Sequence, residues 1–267
     1  MTQQQEDPAF CNTPVASLAA CAALLSGFRS AFETLSGYIG NEAPLPFGLY
    51  NATTSFVADG CRSVETLGRN NHWIYGAAAI RVSYEASIRL LWASRATDGV
   101  QRLRVGWYRQ RRKWAETANN GAHAAHAEAL LEKDANVERQ WREAGLSMKN
   151  APDIRQMLSE IDRADESSPA YEKRSAIRDD HYATYYVVLS AISHGIPTAL
   201  RGMPSRNVCG YVAIAAAEAT RAILLAHEHF RPDLSRHWKP QISESFNRIW
   251  DSLEQLGLGV EPESPVD

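Results

Sequence analysis

The sequence predicts an all-α protein, a single-domain bundle of about eight or nine helices. Three observations predict it. Apolar residues recur at helical spacing along almost the whole chain. No alternating apolar–polar run of strand length appears, and no hairpin dipeptide stands between β-branched segments. Breaks between the periodic stretches carry helix-stop chemistry, as where Gly195 is followed by Pro197. At 267 residues the chain can bury a substantial core as one domain. Residues 1–13 and 259–267 are expected to be flexible tails.

The first helix is read from about Pro14, a good first-turn proline, to near Tyr38. Asn41 to Phe47 holds two prolines and reads as a loop. A second helix covers residues 50–69 and breaks at the pair Asn70-Asn71. A third, from His72 to Ala96, is mostly apolar or small, as a helix packed on several sides should be. Asp98 is placed to cap the fourth, residues 99–119. There Val100, Leu103, Trp107, Trp114 and Ala118 form one apolar stripe, so both tryptophans are expected in the core. A fifth helix spans 122–144, and Pro152 opens a shorter one to Arg163. Asp165 to Pro169 reads as a surface connection before a helix of 170–194. Gly202 to Arg206 is a further loop. A long apolar helix, 207–230, ends before Pro232. The final amphipathic helix starts near Pro240 and turns Ile242, Phe246, Ile249, Trp250 and Leu253 inward.

Composition excludes several classes. A net charge of −3 exerts no global pull on nucleic acid or acidic membranes. The acidic start lacks the basic region of a secretory signal. The apolar runs at 182–200 and 208–226 carry His194, and Glu218 and Arg221, so neither reads as a membrane span. Cys11, Cys21, Cys61 and Cys209 have no paired spacing, which points to reduced thiols in a cytoplasmic protein. No phosphate-cradling loop, dinucleotide fingerprint or nucleophile elbow is present, and no cofactor is expected. Composition leaves the oligomeric state open.

Charge returns where it is least expected. Arg81, Glu85 and Arg89 stand four residues apart in the middle of the apolar third helix, hence on one stripe. Such charges must pair or face a cavity. The matching element is Tyr182 to Pro197, where Tyr186, Ser190 and His194 follow one another at four-residue spacing. Glu85 and His194 are candidates for an acid/base pair supported by Arg81, with Arg89, Tyr185, Tyr186 and Ser190 orienting a small polar or anionic ligand. The same residues equally suit a structural salt-bridge network pinning two core helices.

Other constellations are less specific. Arg178-Asp179-Asp180-His181 has the donors for a divalent metal, but reads as the wet first half of a helix. His123 and His126, and His227-Glu228-His229, lack the glutamate spacing of dinuclear carboxylate bundles and the zinc-protease spacing, so no metal site is assigned. Arg102 to Trp114 is basic and aromatic, which leaves open a nucleic-acid-directed protein such as a defence or toxin-type ribonuclease. Arg174/His181, Arg221/His227 and Arg231/His237 share the arginine-to-histidine spacing of some helical ribonucleases, as composition alone yields by chance. A non-catalytic helical interaction protein is the third reading.

The segments IRVSYEASIRLLWAS, QRLRVGW, WREAGL and YYVVLSAISHG together resemble a bacterial all-helical family of unknown function. The resemblance covers most of residues 60–230. It implies one helical domain and the pairing of the third helix with the tyrosine-to-histidine segment. Carried over by residue, it points to Arg81, Glu85, Tyr185, Ser190 and His194. It implies no particular activity.

Overall fold

The computed structural model describes residues 8–36, 47–118, 124–165, 186–194 and 205–255. Among them run nine helices and no strand: α1 (Pro8–Ser36), α2 (Phe47–Arg69), α3 (Trp73–Arg95), α4 (Gly99–Ala118), α5 (Ala124–Glu143), α6 (Ile154–Asp165), α7 (Val187–Ser193), α8 (Ser205–Phe230) and α9 (Pro232–Glu254).

Helices rich in small residues let a neighbouring backbone approach closely, and α8 is such a helix. Its buried alanines at 213, 215–217, 219, 222 and 226 pack along α3. In return α3 contributes bulk: Trp73, Ile80, Tyr84, Ile88, Leu91 and Trp92 are all buried. Each fully buried large apolar side chain contributes about 1.5–3 kcal/mol. The pair α1–α2 covers this axis with Leu18, Leu25, Phe28, Tyr50, Val57 and Val64. From elsewhere α6 docks Met157, Leu158 and Ile161 onto α3, and α9 closes over α1 and α8 through Ile249 and Leu253. Trp92 Nε1 donates to Glu160 Oε2 at 2.6 Å, which fixes α6 on α3.

Local chemistry sets two helix ends, the first at the asparagine pair the sequence expects and the second at Asp153 rather than at Pro152. Asn71 takes φ of 59°, and His72 N donates to Leu67 O at 2.8 Å while Asn71 N donates to Gly68 O at 3.0 Å. That is a left-handed stop built on asparagine. Asp153 Oδ1 accepts from Gln156 N at 2.8 Å and caps α6.

In three places the sequence expectation gives way. α1 begins at Pro8, so residues 8–13 are helix rather than tail, and Pro14 lies inside it. Pro14 is buried, and packing outweighs the hydrogen bond that proline omits. Similarly α9 begins at Pro232, with Pro240 in its interior. Pro232 occupies the first turn, where an N–H would be unsatisfied in any case. The third difference concerns α4. Its stripe begins against the main core at Val100 and Leu103, but runs out onto open surface, where Trp107 is 55% and Trp114 48% exposed. The reason is topological: α5 packs on α4 rather than on the bundle axis. The two form a hairpin with its own seam, Val105, Ala115, Ala127 and Trp141, outside the main core.

The four cysteines are free. Burial pushes the Cys21 thiol up to about 11, against a weaker opposing hydrogen bond from Thr220, and drives Cys61 well above its ordinary 9.0. Cys11 and Cys209 differ: half-buried and buried respectively, they bring their sulfurs within 3.6 Å across α1 and α8. A mild thiol oxidant should join this pair and no other. Thiol titration should then fall from four groups to two, with one cross-linked peptide pair in the digest, and Cys11→Ser should abolish both. By length and composition, Cys11–Ala31 and Asn207–Phe230 are apolar enough to cross a membrane, although most of the second lies buried inside the bundle.

Candidate functional site

A 3.6-residue period brings Arg81, Glu85 and Arg89 onto one stripe of α3, and their side chains meet there. Arg81 Nε and Nη2 lie 3.1 and 3.0 Å from Glu85 Oε1. Arg89 Nη2 donates to Glu85 Oε2 at 3.0 Å. The carboxylate is 15% exposed, and each of its oxygens is held by one guanidinium.

The next contribution crosses from α7, which packs against α3. Tyr186, just ahead of α7, donates its hydroxyl to Glu85 Oε1 at 2.9 Å. Its ring lies under the Arg81 guanidinium at 5.5 Å and faces the Tyr84 ring at 6.4 Å. At the other end of this short helix, His194 brings Nε2 to 3.3 Å from Arg81 Nη1. Guanidinium nitrogens only donate, so Nε2 is the acceptor in this contact. Arg81 therefore bridges Glu85 and His194.

Ser190 contributes its backbone oxygen to His194 N at 3.0 Å. Its hydroxyl makes no hydrogen bond among the described residues. Tyr185 lies outside the described residues, as do Arg178 to His181, Arg174 and His123.

The electrostatics follow from these contacts. Burial raises the Glu85 carboxyl, but the Tyr186 hydrogen bond and the two arginines outweigh it and hold the group below its ordinary 4.5. For Tyr186, burial raises the phenol and Glu85 raises it further, against the pull of Arg81, so the hydroxyl remains a donor. Glu85 is thus a fully engaged carboxylate. Two guanidiniums against one carboxylate leave an excess positive charge. Arg89 is 43% exposed and commits one nitrogen to Glu85, which turns the rest of its donor fork outward. His194 is exposed beside Arg81. The exposed edge of the cluster therefore carries net positive charge.

No family model, no curated protein and no solved structure matches the chain.

The other candidates separate from this cluster. Arg221 and His227 are both buried in α8, where no solvent-borne substrate meets them. His227 packs its ring against Phe28 at 4.6 Å and Tyr50 at 5.5 Å. His229 accepts from Arg95 Nε at 3.0 Å, and His126 meets the edge of Trp114 at 6.3 Å. Among the described residues no group of three metal-ligating side chains converges. A groove of roughly 910 Å³ runs between α1 and α9, over Ala16, Leu24, Phe28, Ile242 and Ile249. It shares no residue with the Glu85 cluster.

Sequence reasoning passed over one buried pair. Glu218 and Arg221, three residues apart on α8, approach to 3.6 Å with side chains 1% and 9% exposed. The signal was the one that singled out α3: ionisable groups at helical spacing in an apolar run.

Proposed function

We propose that this is a soluble, cytoplasmic protein that binds a small anionic molecule, a carboxylate or phosphate carrier, at the Arg81–Arg89–His194 edge of the cluster. The observation that carries the reading is the fully engaged Glu85 carboxylate between two arginines, one of them 43% exposed. Glu85 acts as an internal counter-ion that preorganises the guanidiniums, which lowers the ordering cost an anion would otherwise meet. Tyr186 locks the carboxylate in place.

An anion seated between Arg81 and His194 finds the imidazole nitrogen facing a cation.

The decisive test is a calorimetric titration with inorganic phosphate, acetate and a short dicarboxylate. Arg89→Gln should weaken the anion that binds by about tenfold, the effect of losing one charge-assisted hydrogen bond. Its thermal midpoint should barely move, because the side chain is well exposed. If no anion binds the wild type, or Arg89→Gln binds as well, the cluster is a structural pin and the chain a helical interaction protein.

A further inference from the structure

We propose that the outer half of α4 is a contact surface for single-stranded nucleic acid, with bases stacking on Trp107 and Trp114 and phosphates met by neighbouring cations. The two indoles are 55% and 48% exposed, which is unusual for tryptophan on a folded surface. Seven residues apart, they share one face of α4, about 10.5 Å from each other along the axis. That distance spans about three nucleotides of a stacked strand.

The helix that carries them is strongly basic. α4 carries six arginines and lysines against one glutamate, a net of +5, in a chain whose total is −3. Part of that charge is cancelled by carboxylates. Arg111 donates through Nε to Asp134 Oδ2 at 3.0 Å and through Nη2 to Oδ1, and Arg112 pairs with Glu116 at 3.0 Å and Glu138 at 3.9 Å. The rest is not. Arg109 spends its donors on the neutral oxygens of Asn150 and Met148, at 2.9 and 2.8 Å. Arg104 lies over the Trp141 ring, 4.9 Å from its centre. Lys113 is exposed and makes no ion pair among the described residues.

Arg111 explains why Trp107 is a usable platform. Its guanidinium lies 4.3 Å from the Trp107 ring centre and 4.5 Å from that of Tyr108, while Asp134 anchors it. An indole backed by a fixed cation is held ready for a base, so stacking costs little ordering. A membrane surface fits less well. Helices that lie in lipid present aliphatic as well as aromatic chains, but here Val105 is buried and Leu103 packs against the core.

The test uses the full chain and fluorescein-labelled oligo(U) and oligo(dT) of about 20 nucleotides, followed by anisotropy and tryptophan quenching at several salt concentrations. Binding should be visible at about 50 mM salt and weaken steeply by about 200 mM. Trp107→Ala with Trp114→Ala should weaken it at least about tenfold. Lys113→Ala should reduce the salt slope by about 0.7. Arg89→Gln should leave it unchanged, which separates this surface from the small-anion site. Both tryptophans are exposed, so helicity should persist. If it does not, Lys113→Glu, at an exposed side chain, decides instead. Absence of binding at low salt overturns the proposal. So does binding that the tryptophan and lysine variants leave intact. Capture by phosphatidylserine vesicles without oligonucleotide binding assigns the face to membranes and overturns it equally.

Discussion

Arg221→Met should destabilise the protein by about 3–5 kcal/mol, the cost of removing one partner from a buried ion pair. Glu218 is 1% exposed and Arg221 side-chain nitrogen lies 3.6 Å from its carboxylate, inside the helix that forms half the bundle axis. At this depth the attraction between the two charges offsets much of their desolvation. Methionine keeps most of the side-chain volume but removes the cation, so the cost is chiefly electrostatic. Glu218→Leu combined with Arg221→Met removes both charges and should recover most of the loss, because apolar replacement of a whole buried pair is often near neutral. Urea unfolding of the two single variants and the double variant gives the coupling directly. A cost below about 1 kcal/mol for Arg221→Met would mean that water or backbone dipoles already solvate Glu218.

How far the sequence reached is clearest on α3 and α4. On α3 the four-residue spacing of Arg81, Glu85 and Arg89 sets their common face, because i,i+4 geometry is intrinsic to the helix. The contacts among them were therefore legible. That a tyrosine-to-histidine segment would meet this stripe was also legible, since two apolar helices with embedded polar groups have to satisfy each other. What spacing did not contain was the order of contacts. Arg81 rather than Glu85 meets His194, and that depends on rotamers and on where α7 ends. On α4 periodicity correctly grouped Trp107 with Trp114, but a stripe does not say what it faces. The hairpin with α5 takes both rings away from the core. Proline misled in a different way: a local rule favoured starts at Pro14 and Pro240, whereas helix runs through both, past a buried Pro14 and an exposed Pro240. Glu218 and Arg221 were in plain view, but served only to argue against a membrane span.

Glu85→Gln is the substitution that separates receptor from catalyst, and it should tighten anion binding by about 10- to 100-fold. In the wild type the carboxylate sits about 3 Å from both guanidiniums and repels any incoming anion. At an effective dielectric near 20, repulsion across about 5 Å amounts to roughly 3 kcal/mol, and solvent at the exposed edge reduces it. Glutamine keeps an acceptor for Tyr186 and removes that repulsion. The same change should cost about 1–3 kcal/mol of stability at neutral pH, because two arginines lose their counter-charge. The pH dependence has a definite sign. The Glu85 carboxyl is held below its ordinary 4.5 by Tyr186, Arg89 and Arg81 acting against burial, so its contribution is present above that value and is lost as pH falls through the depressed one. Denaturation from pH 7 down to about 3 should show this slope in the wild type and a flatter one in Glu85→Gln. If Glu85 were instead a general base, Glu85→Gln would abolish turnover without tightening phosphate or carboxylate binding. Equal affinity in variant and wild type would remove the counter-ion role, and with it the reason to read the exposed arginine edge as a receptor.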